Sequence, residues 1–142
     1  MPMLNKVAQF AVKPLPRAIN PKAHAIVDYM NVGACLMAAV SFWGRNRRAA
    51  VGALISGGAS LMVNLLTDYP GGVKKVIRFR THRRMDFGLA AMIATMPEFL
   101  AFEDHDERKF FLAEGIFISA VSELTQTPPG YPGAERSGRV AA

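Results

Sequence analysis

With 142 residues and 15.5 kDa the chain has room for one domain, and 51% apolar residues against 20% charged put it above the usual soluble range. Its 17 Lys plus Arg against 11 Asp plus Glu give a formal charge of +6. These cations flank apolar runs instead of forming a separate basic arm, which argues against nucleic acid and points to anionic lipid headgroups. The single cysteine, Cys35, rules out an intramolecular disulfide and a Cys-based metal site.

Residues 1–21 open the chain with Leu4, Val7, Phe10 and Ala11 at helical spacing beside Lys6 and Lys13, the pattern of an amphipathic helix lying on a membrane surface. Pro14 and Pro16 interrupt any signal-peptide core, so no cleaved leader is expected. Ala25 to Gly44 is then apolar apart from Asp28 and Asn31, and ends on Phe42 and Trp43, whose rings suit the headgroup level. Ala49 to Thr67 runs 19 residues without an ionisable side chain, close to the length that crosses about 30 Å of hydrocarbon. Residues 73–81 mix Val76, Ile77 and Phe79 with Lys74, Lys75 and Arg78 and read as a basic interfacial linker. Two later apolar stretches are weaker alone: Phe87 to Phe102 is interrupted by Pro97 and Glu98, and Phe110 to Thr125 contains Glu114 and Glu123. The tail 131–142, rich in Gly and Ser with little to bury, is expected to be disordered.

An internal alignment at an offset of 58 (82 − 24 = 58) strengthens those two stretches. Without a gap it sets His24 on His82, Asp28 on Asp86, Gly57 on Gly115, Thr67 on Thr125, Pro70 on Pro128 and Gly72 on Gly130. The expected architecture is therefore all-α: a four-helix transmembrane bundle from a tandem duplicated hairpin, with spans at residues 24–44, 48–67, 82–102 and 108–126. The two repeats cover residues 22–72 and 82–130. Twelve cations lie on the side holding the termini and the middle loop, against five on the other (Arg45, Arg47, Arg48, Arg108, Lys109). The positive-inside bias then makes both termini cytoplasmic in a multi-pass protein of the bacterial inner membrane.

The residues HAIVDY, LLTDYPGG, HRRMDFG and LTQTPPG, with Pro97 near the end of the third span, resemble the SPW-repeat type of small bacterial membrane protein over roughly residues 17–130. The namesake triplet is Met96-Pro97-Glu98 in the second copy and Ala38-Ala39-Val40 in the first. The resemblance implies a duplicated two-helix fold and no catalytic residues.

His24 and Asp28 are four apart and share a helical face, as do His82 and Asp86. With Asn64, Asp68 and Glu123 at the exits of the second and fourth helices they make a candidate polar layer at the cytoplasmic end. Thr67, Ser122 and Thr125 fall at the same level. The first reading of that layer is structural, each Asp accepting a hydrogen bond from its own His or a neighbouring helix. The alternative is a small carrier or a metal- or haem-binding protein using the same four residues. Glu98 and Glu114 read as snorkelling groups, Glu98 or Glu114 pairing with Arg108 or His105. The stripes Gly52/Ser56/Ser60 and Gly115/Ser119 predict close helix packing. No phosphate loop, H-E-x-x-H, G-x-S-x-G or redox Cys pair is present. The expectation is thus a non-enzymatic structural or accessory membrane protein with no cofactor, whose partners are the lipid bilayer and a further protein or second copy.

Overall fold

The computed structural model describes residues 16–127. Most of the amphipathic segment expected over residues 1–21, and the tail 131–142, lie outside the described residues. The rest is mostly helical: α1 (Pro21–Phe42), α2 (Arg47–Leu66), α3 (Phe79–Ala94), the single turn α4 (Met96–Phe99) and α5 (His105–Leu124).

Local chemistry sets the boundaries. Asn20 caps α1, its side chain accepting from the Ala23 amide at 2.8 Å, and Pro21 occupies the first turn, where a missing N–H costs nothing. Asn46 caps α2 in the same way through the Ala49 amide at 2.9 Å, while its own Nδ2 donates to Asp104, the residue 58 positions on that opens α5. Asp106 and Glu107 in the first turn of α5 complement its dipole. Pro97 does what a ring without an N–H must do: α3 stops at Ala94, a new turn begins at Met96, and Ala101 follows with φ at 50°. The continuous third helix expected over 82–102 is therefore two pieces. The Ala101 turn is held by Arg48, which donates to its carbonyl at 2.9 Å, and Glu98 pairs with Arg108 at 2.6 Å, as expected.

Two short strands depart from the all-α expectation. β1 (Thr67–Asp68) pairs in parallel with β2 (Ile77–Arg78), Thr67 facing Ile77. An isolated bridge joins Ile19 to Thr125. Each is the other shifted by 58, so the chain leaving each hairpin is stitched to the chain leading into the other. Backbone groups just outside a helix end must find partners, and here each segment finds them in the other. The linker 73–81 is not one amphipathic element: Val73 and Val76 are exposed, Ile77 is in a strand, and Phe79 begins α3 fully buried.

Packing is closest within the pairs α1/α2 and α3/α5. A Cβ on Gly57 would stand 3.0 Å from Cys35 Cβ; on Gly115 it would stand 2.7 Å from the Ala90 carbonyl and 2.9 Å from Ala94 Cβ. Gly52 instead lets α2 meet α4 and α5, with Met96 and Phe111 against it. Gly115→Ala should thus cost about 1–3 kcal/mol, because backbone and not a flexible tip is in the way; denaturant unfolding of the detergent-solubilised protein measures it. The main core, including Phe42, Ala49, Ala53, Ile93, Phe102 and Phe111, fills the end of the bundle near the α1–α2 turn. At the other end Ala25, Tyr69 and Phe79 form a small cluster beneath a polar centre.

Candidate functional site

That centre is built by the first turns of α1 and α3 and by the exits of α2 and α5. His24 and His82 are both fully buried, one turn ahead of Asp28 and Asp86. Their Nε2 atoms face each other at 3.3 Å. Asp28 Oδ2 lies 3.3 Å from His24 Nε2 and 3.0 Å from His82 Nε2, and Asp86 lies 3.3 and 3.4 Å from the same two nitrogens. All four residues of the two His/Asp pairs therefore converge.

Behind each ring stands a threonine from the other hairpin. His24 Nδ1 is 2.7 Å from Thr125 Oγ1, and His82 Nδ1 is 2.8 Å from Thr67 Oγ1. Each hydroxyl has one proton, and it is already given to the helix carbonyl four residues back, Val121 or Val63, at 2.6 Å. Each threonine oxygen can then only accept from the ring, so both Nδ1 atoms carry a proton; Nε2 is left either as a lone pair or, where it too is protonated, as a donor to a carboxylate, as the 3.0 Å from His82 Nε2 to Asp28 Oδ2 allows.

The carboxylates are oriented too. Ser122 donates to Asp86 Oδ2, and the Tyr69 hydroxyl donates to Asp28 Oδ2 at 3.2 Å. Burial, then the charge of Asp28, holds the Tyr69 phenol well above its ordinary range, so it stays a donor. Phe79 stacks on His82 and meets His24 edge-on, sealing the floor.

Beside the centre a cavity of about 10 Å³ is lined by Asp28, Asn31, Ser60, Asn64 and Asp86 on one side and Leu89 and Ile118 on the other. That is close to the least space one water needs. Asn31 Oδ1, Ser60 Oγ and Asn64 Nδ2 are buried without a partner, which in a site this polar is the signature of a place for water.

No protein-family model, curated protein or solved structure matches this chain.

Of the expected polar layer, His24, Asp28, His82 and Asp86 form the centre and Asn64 lines the cavity next to it. Asp68 and Glu123 do not join. Asp68 turns to Lys75 at 3.4 Å, and Glu123 is exposed next to the buried Ser122; neighbours in sequence to inward residues, they stay outside the centre. Tyr69 and Phe79 also belong to the centre, and no pattern in the sequence marks either of them. Thr67, Thr125 and Ser122 were legible as matched exit positions, not as partners of the rings.

The ligand atoms of His24, His82 and Asp86 lie within 4.8 Å of one another, close enough for the three to hold a metal ion together. A haem between the two histidines does not fit: axial bonds of about 2 Å each would separate the nitrogens by about 4 Å with a macrocycle between them, whereas the rings meet directly, 5.3 Å between centroids.

Proposed function

We propose that this chain is a multi-pass membrane protein of structural or accessory role, in which two tandem copies of one hairpin form a four-helix bundle. One observation carries the reading: large apolar side chains cover the outside of the helices while a set of polar ones is buried among them. Met30, Met37, Val40, Met62, Leu112 and Ile116 are each more than half exposed, while His24, His82, Thr67, Ser56, Asn64 and Ser122 are buried. In water that distribution would be costly; in a bilayer, lipid covers the apolar surface and buried polar groups find one another.

Two helices, α1 and α2, are long and apolar enough to cross a membrane, and in the most apolar stretch of α1 only 33% of the residues are buried by protein. α3 has 16 residues, about 24 Å at 1.5 Å per residue, so its crossing relies on α4 continuing it past the Pro97 break. α5, with 20 residues, has the length. The paired stitches Thr67–Ile77 and Thr125–Ile19 favour the duplicated hairpin, of the SPW-repeat type that the sequence resembles. With the cation bias, this supports both termini and the His/Asp centre on the cytoplasmic side of a bacterial inner membrane.

On expression in a bacterium the protein should sediment with membranes, resist alkaline carbonate and require detergent for release. In a Cys35→Ala background, cysteine at Asn46 should react with an impermeant reagent from the outer face and cysteine at Gly138 should not. Recovery in the soluble fraction would overturn the membrane reading, and the reverse labelling would overturn the orientation.

A further inference from the structure

We propose that the paired His/Asp centre is a binding site for one divalent transition-metal ion of the zinc class, with His24 Nε2, His82 Nε2 and Asp86 as its core ligands and Asp28 as the fourth. The inference does not depend on whether the chain spans a bilayer.

Three observations carry it. The first is the direction of the lone pairs. The threonine-bound Nδ1–H groups leave both Nε2 atoms, the lone-pair sites of the neutral rings, facing each other and two carboxylates in a place where both rings are fully buried. Four electron-pair donors converging out of water repel one another unless a cation sits between them. A ring held by its second nitrogen and turned to give its first is also how proteins prepare histidine as a metal ligand.

The second is distance. A tetrahedral ion with bonds of about 2.0–2.1 Å holds its ligand atoms about 3.3–3.4 Å apart. The two nitrogens are 3.3 Å apart; Asp86 stands with Oδ2 3.3 Å from His24 and Oδ1 3.4 Å from His82, so either oxygen can serve as its ligand atom, and Asp28 Oδ2 is 3.3 and 3.0 Å from the two nitrogens. Asp28, which keeps 15% of its side chain exposed, would move toward Asp86 to complete the set.

The third is charge. Two carboxylates and two neutral imidazoles around a divalent ion sum to zero, the only total that a water-poor site tolerates well. An N₂O₂ set without sulfur suits zinc and its first-row neighbours rather than copper(I), and it is too rich in nitrogen for calcium or magnesium. The one-water cavity with unpartnered Asn31, Ser60 and Asn64 abuts the two carboxylates, giving the ion a hydrated approach.

Cobalt(II) is the probe, added to untagged protein in detergent after chelator treatment. One equivalent should bind with the intense visible absorption of a tetrahedral ion, zinc should displace it, and the bound ion should raise the melting temperature. His82→Ala should weaken binding at least a hundredfold, and Thr67→Val, which touches only the ring's far nitrogen, tenfold to a hundredfold. His105→Ala, an exposed histidine outside the centre, should change nothing. Should His82→Ala fail to fold, Asp86→Asn, which keeps shape and a partner for Ser122, takes its place with the same expected loss. Wild-type protein that is folded yet binds no stoichiometric cobalt or zinc at micromolar concentration would overturn the proposal, leaving protons as the cations of the centre. Binding unchanged by the His82, Thr67 and Asp86 variants, or lost with His105→Ala, would overturn it equally.

Discussion

Thr67→Val and Thr125→Val together should lower the unfolding free energy of the chelator-treated protein by about 2–6 kcal/mol. Valine keeps the shape of threonine and removes the oxygen, so each change leaves a buried ring N–H without its acceptor, at about 1–3 kcal/mol each. The lower end applies if the rings answer by moving the proton to Nε2, where Asp28 or Asp86 accepts it. That range is the additive sum; because the rings touch at 3.3 Å, a departure from it in a double-mutant cycle measures their coupling. Thr95→Val is the control. Its hydroxyl also donates to helix carbonyls, Ala91 at 2.8 Å and Met92, but serves no ring and is exposed, so it should change stability by less than about 0.5 kcal/mol. Denaturant unfolding in mild detergent, followed by circular dichroism, reads all five proteins. A double variant no less stable than Thr95→Val would show that the threonines do not clasp the histidines.

Gly72→Ala should be as damaging with a single methyl group. A Cβ there would lie 1.7 Å from the Thr67 carbonyl oxygen and 2.9 Å from its carbon. Backbone cannot step aside as a side-chain tip can, so the turn must open, and it carries Thr67 and Tyr69, which hold His82 and Asp28. The expected cost is about 3 kcal/mol or more, with cobalt affinity falling alongside. Gly58 and Gly88, with nothing within 4 Å of the added carbon, should instead gain about 0.5–1 kcal/mol on replacement by alanine, since a helical glycine gives up more chain entropy. Melting temperatures of the three variants separate the cases. Equal behaviour at Gly72 and Gly88 would mean that the close approach at Thr67 is not what the turn requires.

By itself the sequence determined that α1 and α2 are helices, through the runs Ala25 to Gly44 and Ala49 to Thr67; their starts at Pro21 and Arg47, set by the Asn20 and Asn46 caps, came from the structure. It also determined that His24 and Asp28 share a face, as do His82 and Asp86, because a four-residue spacing fixes relative direction within any helix. The interruption at Pro97 was legible, but not that it would split α3 from α4, since a proline's effect depends on whether neighbours stabilise the freed carbonyls. Asp68 and Glu123 were placed in the polar layer by level along the axis; facing direction at a helix exit depends on the chain beyond it, here β1 and the Ile19 bridge. Only the tertiary structure decided that each histidine is held by the threonine of the other hairpin, that Phe79 and Tyr69 close the floor, and that the two Nε2 atoms meet. Those relations join residues 15, 58 and 101 positions apart, and periodicity within an element carries no information about contacts that only the packing of separate elements creates.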